Sequence, residues 1–185
     1  MRPRSRHVTA ALLGAAAFAL AACEDDSVDT VVVTDPAACA AMGQFSQAEC
    51  EEGYAEAKAQ NDATAPRYDA MAVCEEEHGA GNCQPEVTSS GTSVFMPILM
   101  GYMMGRMMGG FGAKPLYPTP GGGAATADGR TQFNRMNGVG KVAPASYQPA
   151  PNTKNMAPMS KAQVQSRGGF GASRTAVPGG GGFGG

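Results

Sequence analysis

Four cysteines, Cys39, Cys50, Cys74 and Cys83, fall within 45 residues and constrain this chain more than any other feature. A segment that short buries little apolar area, so a fold built on it needs covalent staples or a metal. The compartment decides between the two, because thiols stay reduced in the cytosol and oxidise after export. Arg2, Arg4, Arg6 and His7 form a positive start, and Val8–Leu20 is an apolar stretch interrupted only by Thr9 and Gly14. The small residues Ala21 and Ala22 then precede a fifth cysteine, Cys23. The apolar stretch is too short to span a bilayer as a helix and has the layout of an export signal, so residues 1–22 are set apart from the fold. In an exported chain the four remaining cysteines read as two disulfides, with three pairings open.

Leu20-Ala21-Ala22-Cys23 resembles the lipobox of bacterial lipoproteins. That resemblance implies cleavage before Cys23, diacylglycerol on its thiol and a fatty acyl group such as palmitate on its amine. Two or three chains anchor stably where one does not. The expected location is the periplasmic side of the cell envelope, with inner and outer membrane both open.

Charge divides the mature chain. Residues 24–93 carry 15 acidic side chains against Lys58 and Arg67, a net of −13. From residue 94 onward nine basic residues face Asp128 alone, a net of +8. The halves can attract each other or separate partners of opposite sign. Export removes nucleic acid from the candidates for the basic half and leaves anionic envelope surfaces.

Composition marks a lipid-anchored spacer over 23–34, a cysteine-containing helical domain over 35–86, an apolar Gly/Met block over 94–112 and a basic low-complexity tail over 113–185. Asp35-Pro36 is a helix start and Gly43 a stop. Ser46-Gln47-Ala48-Glu49 matches a capping box opening a helix to about Asp62, ahead of Pro66. A third helix runs from near Asp69 to Gly79. Asp35…Cys39…Gly43…Cys50 and Asp69…Cys74…Gly79…Cys83 resemble each other as a weak repeat, which favours the local pairings Cys39–Cys50 and Cys74–Cys83 over the nested alternative. The tail has few large apolar residues and no sustained periodicity, and is expected to be disordered. The fold class expected is therefore a small, mainly α, disulfide-stapled head, one Gly/Met-rich apolar helix and a disordered remainder.

On a helix starting at Pro97, Gly101, Gly105 and Gly109 form a smooth groove suited to close helix association, in a membrane pair or by self-association. Met96, Met100, Met103 and Met107 form a stripe on roughly the opposite face, usable for copper(I) by its soft thioethers and otherwise a packing surface. Arg106 inside the segment disfavours a lone span. Cys74, His78 and Cys83 are the candidates for zinc, which oxidising surroundings disfavour. No nucleophile elbow, phosphate-cradling loop or paired His–acid arrangement stands out, so neither catalytic residues nor a cofactor is expected.

Several of these segments together resemble the YgiB-like family of uncharacterised Gram-negative envelope proteins. They are the signal with Cys23, Cys39…Cys50…Tyr54…Ala65-Pro66-Arg67-Tyr68…Cys74…Gly79-Ala80-Gly81-Asn82-Cys83, the block Met96-Pro97…Met100-Gly101-Tyr102-Met103-Met104-Gly105-Arg106-Met107-Met108-Gly109-Gly110, and Arg167-Gly168-Gly169-Phe170-Gly171. The family brings no established activity. The role expected is structural or interactive at the envelope, with membrane held through Cys23 and the alternative of copper(I) handling.

Overall fold

A computed structural model describes residues 27–168. Eight strands run in chain order as β1 Val28–Val33, β2 Cys83–Val87, β3 Ser93–Pro97, β4 Gly101–Met107, β5 Gly110–Pro118, β6 Ala124–Ala125, β7 Gln132–Phe133 and β8 Gly138–Val142. The helices are α1 Pro36–Ala41, α2 Gln47–Thr64, α3 Met71–His78 and α4 Lys161–Ser166, with a 3-10 turn at Pro144–Tyr147.

The helices of the cysteine region begin and end on local signals. The Asp35 carboxylate accepts from the Ala38 amide at 2.9 Å, with Pro36 opening α1. Ser46 and Glu49 form the reciprocal capping box of α2, which satisfies two otherwise orphaned donors. Ala65 leaves α2 in an extended conformation, as a residue before proline must. Helix α3 stops at Gly79, whose φ of +89° favours glycine.

The architecture corrects the expected fold class. It is built around a six-stranded antiparallel sheet in the order β7-β6-β5-β4-β1-β8, beside the β2–β3 hairpin. The Gly/Met helix does not exist: its residues form β3, β4 and the start of β5. A spacing of four is one helical turn and also two strand periods, so Gly101 and Gly105 share a face in either reading. Strands won because the pleat sorts the alternate side chains into two cores. Val31, Val33, Tyr102, Met104 and Ala113 pack against Cys39, Phe45, Cys50 and Ala57 on one face. On the other, Val32, Met100, Met103 and Leu116 pack with Val142 and Tyr147.

The Gly101 and Gly105 positions are close-approach sites of the sheet instead of a helix groove. A Cβ on Gly101 would strike the Val33 carbonyl oxygen of the neighbouring strand. A Cβ on Gly105 would lie 2.5 Å from the Tyr147 hydroxyl. Cross-strand register places Gly140, Thr30, Gly105 and Gly112 in one row, and Tyr147 lies against its Gly105 and Gly112 members. The Tyr147 and Thr30 hydroxyls meet at 2.9 Å. Gly109 sits in the β4–β5 turn at φ +95° with nothing near it.

Residues 113–168 are not a disordered tail. Beyond β5 to β8, Thr153 donates its amide to the Ala63 carbonyl and Met159 donates to the Arg67 carbonyl. Val164 of α4 is buried with Tyr68, Val73 and Cys74. Buried Arg67 gives Nη1 to the Thr153 hydroxyl at 2.6 Å and Nη2 to the Asp62 carbonyl at the end of α2. Small and proline-rich residues suffice here because the large apolar surface they cover comes from elsewhere in the chain.

Both disulfides are local: Cys39–Cys50 and Cys74–Cys83. The two units diverge at the second cysteine, which lies in the first turn of α2 in one and opens strand β2 in the other. The opposed charge blocks meet within the fold at Arg106–Glu49 (3.3 Å), Lys161–Glu76 (3.0 Å) and Arg167–Glu77 (3.8 Å).

Candidate functional site

Strand β5 pairs with β4 along most of its length but with β6 only at Tyr117 and Pro118. Its stretch before Tyr117 therefore has a free edge, where unpaired backbone groups need cover. The Gln60 amide of α2 donates to the Ala113 carbonyl at 3.0 Å, and Pro115 has no amide to offer. Between α2, this edge and the segment following the 3-10 turn lies a cleft of about 340 Å³, lined by Glu56, Gln60, Thr64, Lys114, Tyr147 and Pro149 among others. That volume is at the small end of the range for small-molecule sites.

Lys114 is the unusual member. Its side chain is only 8 % exposed, and among the described residues its ammonium has no hydrogen-bond or ion-pair partner. The polar neighbours are committed elsewhere. Gln60 gives its amide to Ala113 and Glu56, and the Thr64 hydroxyl donates to the Gln60 carbonyl at 2.7 Å. Burial pulls the Lys114 pKa below its ordinary value, opposed by the attraction of Glu56 and Asp128. The Lys114 ammonium, with no contact partner among the described residues, opens onto the cleft and meets water there. The arrangement can take an acidic group at Lys114 and a donor or cationic group toward Glu56.

A second polar cluster is closed. His78 is fully buried, with Nδ1 2.9 Å from the Pro118 carbonyl and Nε2 2.9 Å from the Tyr68 hydroxyl. A carbonyl only accepts, so Nδ1 carries the proton and Nε2 accepts from Tyr68. Burial drives the His78 pKa down to about 4 despite the Pro118 hydrogen bond, and it drives Tyr68 up. With no opening onto the cleft over Lys114, this pair fixes α3 against the end of β5.

The predicted site residues are dispersed. Cys23 lies outside the described residues. Met100 and Met103 share one core, Met96 packs with Ala65 and Tyr117, and Met107 is at the hairpin end. The four-thioether stripe needed the helix and does not form. Cys74 and Cys83 are consumed by their disulfide and His78 by its two hydrogen bonds. Among the described residues no group of three or more His, Cys, Asp or Glu side chains is placed to hold a metal, and no helix is long and apolar enough to cross a membrane. Sequence reasoning missed Lys114, counting it only as a basic residue of the tail. Its one signal was a single charge inside the otherwise uncharged run Phe111–Pro118.

The family model described as "Protein of unknown function (DUF1190)" matches residues 27–179. The chain belongs to this family. The match begins where the described fold begins, so the β1 strand is part of the family unit, as are the cleft and both disulfides. No solved structure matches the chain.

Proposed function

We propose that this DUF1190 member is a non-enzymatic, lipid-anchored envelope domain that binds a small molecule bearing an acidic group in the cleft over Lys114. The observation that carries the binding role is Lys114, a largely buried residue lining that cleft whose ammonium has no partner among the described residues. Glu56, which lines the cleft and attracts the same ammonium, favours a zwitterion over a simple anion. The two disulfides support an oxidising location. The Leu20-Ala21-Ala22-Cys23 sequence supports attachment through Cys23 on the periplasmic side.

Titration of the purified protein with acetate and with glycylglycine, followed by amide chemical shifts, tests the binding role. Shifts are expected at Lys114, Thr64 and Ala113, larger for the dipeptide and absent in Lys114→Met. No shift at tens of millimolar, or the same shifts in Lys114→Met, sinks the reading. Attachment is tested separately by incorporation of labelled palmitate, which Cys23→Ser should abolish.

A further inference from the structure

The register of the sheet gathers one set of loops at the end where the described chain begins. Thr30 pairs with Gly105 and Val28 with Val142, so the last residues of β4 and the residues following β8 flank the start of β1. Met107 pairs with Gly110 across a two-residue turn in which Met108 is fully exposed and Gly109 takes φ +95°. After β8, Ala143, Pro144 and Ala145 are exposed as well. No Asp, Glu, Lys or Arg occurs in 107–113 or in 142–153. The β4–β5 turn and the segment after β8 thus form an uncharged apolar rim, while the acidic Glu24-Asp25-Asp26 run links Cys23 to β1. Behind the rim the charges are mixed, with Arg106 paired to Glu49 and Lys141 standing opposite Asp29.

Val28 follows Cys23 by five residues, a reach of about 17 Å when fully extended. A lipid on Cys23 therefore keeps this end of the sheet within that reach of the bilayer. We infer that the β4–β5 turn at Met107 and Met108 inserts into the lipid interface, making a second, non-covalent membrane contact that orients the domain. This rests on the lipid-anchor reading. Methionine suits the role because it is apolar and flexible and makes few geometric demands on disordered chains. The mixed charges behind the rim leave apolar burial as the driving force, so the contact is insensitive to salt.

The chain contains no tryptophan, so Met108→Trp gives a unique probe, and Ile98→Trp, before the opposite end of β4, gives its control. The full chain is extracted after expression with its signal and reconstituted into phosphatidylcholine–phosphatidylglycerol vesicles with brominated acyl chains. Bromine is expected to quench Met108→Trp several-fold more than Ile98→Trp, with blue-shifted emission unchanged at 0.5 M salt. Equal quenching of the two in vesicles that carry the acylated chain overturns the inference and leaves the anchor standing. A blue shift without quenching means protein covers the turn, as in a second copy of this chain, and also overturns it. A mass showing unmodified Cys23, with no flotation, removes the anchor reading and this inference together.

Discussion

The disulfide-stapled helices and the six-stranded sheet were assembled by opposite rules. In the first, every device acts within a few residues: a cap three residues from its target, a capping box and two disulfides spanning 11 and 9 residues. In the second, the deciding contacts join distant segments. The Thr30–Tyr147 hydroxyl contact spans 117 residues, and β1 pairs with β4 and β8 from far along the chain. The helices are positioned by chemistry that short peptides also have. The sheet exists only once β1, β4, β5 and β8 meet, and its glycines are needed because backbones and a tyrosine ring come close there.

That contrast breaks first at Gly101. Gly101→Ala puts a Cβ into the Val33 carbonyl, backbone that cannot rotate away, and should cost about 3 kcal/mol or more in a denaturant titration. Gly109→Ala, whose Cβ meets nothing, should cost only about 1 kcal/mol for its positive φ. Equal losses would show that the glycines matter for backbone freedom alone.

Replacing both Cys39 and Cys50 by Ala should cost about 3 kcal/mol, the chain-entropy value for so short a loop. The sheet strands should still protect their amides from exchange. Loss of that protection would show that the local region is a prerequisite of the distant one.

Acid probes the seam between the two, where His78 of α3 meets Pro118 of β5. The folded His78 pKa of about 4 lies below the unfolded value, so its contribution is complete above about pH 6.5 and is lost as pH falls toward 4. Across that window the unfolding free energy should drop by about 3 kcal/mol more in the wild type than in His78→Gln. Identical pH profiles would refute a neutral buried imidazole.

Two smaller effects sharpen the picture of the sheet. Tyr147→Phe should lower stability by about 1 kcal/mol by removing the hydroxyl contact with Thr30. Lys114→Met removes an unpartnered, partly desolvated cation and should raise stability by no more than about 0.5 kcal/mol while abolishing binding in the cleft. A thermal melt reads both, and a stability loss in Lys114→Met would mean the ammonium has a structural partner.

Much of the local region was legible in the chain alone. The Asp35 cap, the Ser46–Glu49 box and the Gly79 stop are written in adjacent residues, and the repeat around the cysteines pointed to the local pairing. The sheet was not legible, for reasons the residues make plain. Gly and Met carry little strand preference, and the spacing of Gly101 and Gly105 satisfies helix and strand alike. β6 and β7 are two residues each, too short to show any alternation. The cleft was hidden for the same reason, since Glu56, Lys114 and Tyr147 are brought together from three distant segments.

By itself, the sequence determined the family, the helix ends of the cysteine region and the opposed charge blocks. Tertiary structure alone decided that the Gly/Met block is strand, that the stretch to residue 168 is folded, and that Lys114 is largely buried and lines a cleft. Caps, turns and short disulfide loops depend on residues close in the chain, whose influence is present before folding. Strand pairing and burial depend on partners a hundred residues away, and no local pattern records which partner will arrive.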